Sequence, residues 1–135
     1  MSNDFGKAVL AGLMLIVLIF TTAPATAHHS FSAFNTQVEK SITGTVKQVD
    51  WTNPHIWIWV NVPNAQGSVD VFGFEGMSPN YLERRNWTRT TLKVGDKITI
   101  AYNPMRDGTN GGMFRNGKLE SGKVLTMQGS TADQD

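Results

Sequence analysis

Three histidines are the side chains here whose spacing suggests ligand chemistry: the adjacent pair His28 and His29, and the solitary His55. If processing makes His28 the first residue, its α-amino nitrogen and its ring nitrogen can grip one metal ion together. A further imidazole then completes a three-nitrogen set that suits Cu(II), which prefers tetragonal nitrogen and oxygen ligands. His55 is the natural third donor and His29 its competitor. Glu75 or Asp50 can supply an axial oxygen, and Met77, Met105 or Met113 a soft sulfur for Cu(I). The histidines also have a plainer account, in which the pair is a polar start to the domain and His55 caps a strand.

The chelate depends on where the chain is cut. Residues Ala8 to Phe20 form thirteen uncharged, strongly apolar positions. A membrane-spanning helix needs about 20 such residues, whereas a signal-peptide core needs roughly 7–15. Lys7 and the amino terminus put positive charge in front of the run, and small residues from Thr21 to Ala27 follow it. Two small-x-small frames exist, Ala23-Pro24-Ala25 and Ala25-Thr26-Ala27. Proline suits the extended strand read by a peptidase poorly, so cleavage after Ala27 is favoured. The mature chain would then start at His28 and hold 108 residues, with no membrane span left. A cut after Ala25 would instead put His28 third, where an amine, two backbone amides and an imidazole make a square-planar Cu(II) or Ni(II) chelate. Either cut implies a periplasmic or secreted protein.

Positioning these residues falls to a chain that reads as mostly β. A strand signal runs from Val38 through Ile42 and Val46 to Val49, with Gly44 suggesting a bulge. Asn53-Pro54 breaks it, and His55 to Val62 carries the strongest strand signal of all. Pro63 to Gly67 makes a hairpin loop and Ser68 to Glu75 returns. Ser78 offers an N-cap with Pro79 at the first helical position, opening a short helix to about Arg85. A fourth strand spans Lys97 to Tyr102. Asn103 to Gly117 reads as a Gly-rich loop, Leu119 to Met127 as a fifth strand, and residues 128–135 as a flexible tail. The order β-β-β-α-β-β is that of a small five-stranded OB-like barrel with one short helix, the alternative being a partly open sandwich or meander of the same strands. The expected organisation is a signal peptide over 1–27, an extended segment over 28–37, and the β domain over 38–127.

Alternation along the second strand puts His55, Trp57, Trp59 and Asn61 on one face and Ile56, Ile58, Val60 and Val62 on the other. The aliphatic face is the better barrel filling. Trp57 and Trp59 then face outward, where rings can stack on a small ligand, unless Phe31 to Phe34 or the loop after Asn103 covers them.

AHHSFSAF from Ala27 to Phe34, WTNPHIWIWV from Trp51 to Val60, and FEGMSPNYLERRNWTRTTLKVGD from Phe74 to Asp96 resemble a family of small exported proteobacterial proteins classed as a domain of unknown function. The resemblance covers nearly all of the mature chain and implies export and a compact β domain. It carries no catalytic residues. Separately, a leading histidine with a second imidazole resembles, in ligand chemistry only, the copper-binding histidine brace of lytic polysaccharide monooxygenases and periplasmic copper-resistance proteins.

Composition narrows the remaining classes. At 135 residues there is room for one domain, and without cysteine there are no disulfides, thiolate metal sites or thiol catalysis. Twelve Lys+Arg against eleven Asp+Glu leave a formal charge of +1, which gives no field to attract nucleic acid. Arg84, Arg85 and Arg89 better suit the end of the short helix. No G-x-S-x-G, phosphate loop or H-E-x-x-H occurs, so enzymatic activity would require oxidative copper chemistry. The expected function is an exported binding module for a small ligand or another exported protein, with copper capture at its N-terminal histidine. The alternative is an interaction protein without metal, its aromatics in the core and its partner surface on the second and third strands.

Overall fold

The computed structural model describes residues 31–127 and the backbone of Gly129 and Ser130. The expected signal peptide, His28, His29, Gln128 and residues 131–135 lie outside the described residues. Strand β1 (Lys40–Asp50) is long enough to serve two partners. Its first half pairs antiparallel with β4 (Lys97–Pro104) and its second half with β2 (Trp57–Pro63), Thr45 belonging to both ladders. The register slips between Val46 and Gln48, so the bulge falls there rather than at Gly44. Gly44 has a different job. A Cβ there would lie 2.4 Å from the carbonyl oxygen of Asn61, so its bare backbone lets β2 cross closely.

β2 and β3 (Val69–Glu75) form the expected hairpin, in which Trp57 faces Glu75 and Trp59 faces Gly73. Helix α1 (Pro79–Glu83) starts as its sequence dictates, with the Ser78 hydroxyl accepting from the Tyr81 N–H at 3.4 Å and Pro79 at the first turn. β5 (Gly111–Leu119) then runs antiparallel to β4 and parallel to β3, pairing Gly73–Glu75 with Gly111–Met113. That short parallel seam closes the five-stranded barrel. β6 (Val124–Thr126) and β7 (Gly129–Ser130) extend the sheet beyond β5.

β5 is where the sequence-based expectation needs correction, because the glycine-rich stretch read as a loop is a strand. Gly111, Gly112 and Gly117 are not punctuation. Each sits where a Cβ would strike a neighbour, respectively the Gly73 carbonyl, the Asn103 carbonyl and the Ile98 side chain. The stretch read as the fifth strand instead contains a turn after Leu119, followed by the short β6.

The aliphatic face of β2 fills the barrel, with Ile56, Ile58 and Val60 fully buried among Val46, Phe74, Ile98, Ile100 and Phe114. Leu82, Trp87 and Leu92, from the helix and the segment after it, join the same core. Ile58→Ala should therefore destabilise by about 2–5 kcal/mol through lost burial and a residual cavity. A urea titration that superimposes on that of the parent protein would contradict the assignment of faces.

Candidate functional site

Two features gather on the outside of this barrel, both built from β2 and β3. The first is aromatic. Trp57 and Trp59 are half-buried and nearly parallel, with ring centroids 5.6 Å apart and planes 17° apart. Trp59 lies against Gly73, where a Cβ would meet its ring at 2.6 Å, and its Nε1 donates to Asp50 Oδ2 at 2.7 Å. The opposing glycine and the carboxylate together hold the indole in one orientation. Farther along the same face Val69 is 57% and Val71 38% exposed. Phe31 and Phe34, considered in the sequence as a cover for these rings, line a cleft with His55 and Glu75.

That cleft is the second feature, a cavity of about 120 Å³ at the end of the β3–β5 seam. The chain entering β1 forms one wall. Phe34 bridges to Met105, the Asn35 N–H donates to the Pro104 carbonyl, and the Arg106 N–H donates to the Ala33 carbonyl. This strap buries Phe34 to 1% exposure and brings Phe31 to the cleft. His55 and Glu75 line the opposite side. They meet because Gly76 and Ile56 pair at the end of the hairpin, the Gly76 N–H donating to the Ile56 carbonyl at 2.9 Å. Across this pair the His55 Nδ1 donates to the Glu75 carboxylate. A carboxylate only accepts, so Nδ1 carries the proton, and in the neutral ring this leaves Nε2 as the lone-pair nitrogen. Imidazoles that ligate metals are commonly oriented in this way by a carboxylate behind them.

Three methionines complete the lining: Met77 just beyond β3, Met113 on β5 and Met127 just beyond β6. Met113 stands opposite Glu75 in the seam register. Arg115 sits at the exposed rim and supplies the one guanidinium of the lining.

Of the candidates read from sequence, His55, Glu75, Met77 and Met113 come together. Asp50 does not join them, since it accepts from Trp59 Nε1 and from Gln48 Nε2. Met105 pairs with Phe34 through its backbone and is not among the residues that line the cleft. Glu75, considered as a direct oxygen donor, instead engages the imidazole. Met127 and Arg115 were not anticipated, because nothing local in the sequence ties them to the β2–β3 hairpin, and Phe31 and Phe34 were considered only as a cover for the tryptophans. Among the described residues no three His, Asp or Glu side chains converge as a metal-binding group. The described donors are thus one imidazole and three thioethers. No described helix is long and apolar enough to cross a membrane.

Fold and cleft together define a small closed β-barrel module with one short α-helix among the described residues and a methionine-lined cleft at its seam. The chain belongs to a family of unknown function (DUF6152), whose model matches residues 16–116. No curated protein and no solved structure matches it significantly.

Proposed function

We propose that this chain is an exported binding module that captures copper at the seam cleft, with His55 as the fixed imidazole donor and the N-terminal His28 as the chelating one. The observation that carries this reading is the bond from His55 Nδ1 to Glu75, which presets the tautomer a metal ligand needs. Chain geometry supports it as well. Phe31 lines the same cleft as His55, and the three-residue tether from Phe31 back to His28 spans up to about 10 Å when extended. The cavity of about 120 Å³ is small beside the ~300–1,000 Å³ that organic ligands occupy, which favours an ion. Export rests on the apolar run from Ala8 to Phe20 and the small residues behind it.

The protein recovered from the periplasm should have the intact mass of a chain starting at His28. It should bind Cu(II) with nitrogen hyperfine structure in electron paramagnetic resonance, and lose the ion as acid protonates amine and imidazole. Glu75→Gln should weaken binding about 10–100-fold by releasing the ring, and an added N-terminal methionine should weaken it further by converting the amine to an amide. Equal Cu(II) affinity with and without that methionine would reject the chelate. A second reading, a partner surface on β2 and β3, is favoured by the exposed Val69 and Val71 beside the paired indoles. It becomes the leading one if copper is not bound.

A further inference from the structure

The mature chain from His28 would contain four methionines, and three of them line one small cleft although they come from three separate stretches of chain. Methionine is a common filler of irregular gaps, and Met77 and Met127 do pack against the core. Met113 does not belong to that packing. It projects from the seam beside Glu75, half-buried at the same opening as His55. Thioethers are neutral, soft donors that discriminate strongly in favour of Cu(I) and against the harder divalent ions.

We infer that Met77, Met113 and Met127, together with the Nε2 of His55, form a binding site for a soft monovalent ion, Cu(I). The inference rests on the copper reading above for its ion and on the described cleft alone for its donors. Glu75 acts as a positioning residue behind the imidazole, and its negative charge offsets that of the bound cation. Arg115, the guanidinium at the exposed rim, supplies no donor to the ion. No electron transfer is involved: the ion arrives and leaves as Cu(I). Two oxidation states would then be held by different donors around a shared His55, with Cu(II) needing the free N-terminus and Cu(I) needing the thioethers.

The test uses two probes. With protein labelled at the methionine methyl carbons, Ag(I), a redox-inert stand-in for Cu(I), should shift the resonances of Met77, Met113 and Met127. Met105 should stay in place as an internal control. In competition with a chromophoric Cu(I) chelator, the double variant Met77→Leu/Met113→Leu should lose more than about 100-fold in Cu(I) affinity, because two direct donors outweigh one outer-shell partner. Its Cu(II) affinity should change less than threefold. Leucine conserves the packing volume, and a melting curve checks that the variant is folded. Should it not fold, the labelled parent protein decides alone. Uniform shifts of all four methyls, or Cu(I) affinity unchanged by the double substitution, would overturn the inference. Cu(II) binding that survives such a failure leaves the proposed function standing, whereas thioether-dependent Cu(I) binding without Cu(II) binding rejects the N-terminal chelate and keeps this site.

Discussion

Gly111→Ala should prevent the barrel from closing. Gly111 has φ +124°, a conformation L side chains rarely adopt, and a Cβ built on it would lie 1.9 Å from the carbonyl oxygen of Gly73. The obstacle is backbone on both sides, so no rotamer can give way. Relief requires β3 and β5 to separate, and only three residue pairs hold them together. The expected cost is about 4 kcal/mol or more, in the range reserved for severe steric and backbone effects, and comparable with the whole stability of a small domain. Gly108→Ala is the matched control. Its φ is +81°, but nothing lies within 4 Å of the added carbon, so it should lose only about 1–2 kcal/mol of backbone strain. Chemical denaturation followed by far-ultraviolet circular dichroism compares the two. Equal midpoints would mean that backbone conformation, and not the close approach at the seam, makes glycine necessary.

Trp87→Ala should destabilise by about 3–5 kcal/mol, or about 4–8 °C of Tm per kcal/mol for a domain this size. The indole is 1% exposed and meets Phe114 edge-on with centroids 6.0 Å apart. Its Nε1 donates to the Thr126 carbonyl at 3.0 Å, tying the segment after α1 to β6. Trp87→Phe separates the two contributions, since it keeps most of the buried ring and loses the hydrogen bond. It should cost about 0.5–1.5 kcal/mol for the bond, plus whatever the smaller ring leaves unfilled. Thr126 precedes Met127, so the same variant should also perturb the Met127 methyl resonance. An unaltered Met127 signal would show that this anchor does not set the position of the cleft wall.

The parts of the fold that were legible in the sequence are those governed by short-range rules. Period-two alternation assigned Ile56, Ile58 and Val60 to the interior because β2 has aliphatic residues on one face and aromatic and polar ones on the other. Ser78-Pro79 marked the helix start because a hydroxyl before proline satisfies the first turn. Half of the cleft was available by the same logic. The loop read at Pro63 to Gly67 centres on Ala65 and so brings His55 near Glu75. The observed centre is one residue later, at Gln66, which puts Trp57 opposite Glu75 and Ile56 opposite Gly76 with His55 beside Glu75. The other half was not. Met113 and Met127 arrive through the β3–β5 and β5–β6 pairings, and no local pattern states which distant strands will meet. β5 itself was hidden because its glycines answer to neighbours far away in sequence. Propensity treats glycine as a breaker, while the barrel needs it for close approach. The proposed N-terminal chelate depends on a peptide cut, which strand periodicity does not express.

The joint that closes the barrel is also its shortest ladder, a parallel one whose slanted bonds are slightly weaker per residue than antiparallel ones. Breathing of the barrel should begin there, since local opening follows the least supported pairings. Glu75 and Met113 face each other across that joint, so a guest lodged between them would be released by the same motion that parts the strands. Its residence time would be set by backbone opening rather than by side-chain rotation, and its presence would in turn hold the joint shut, because only the closed form can bind it.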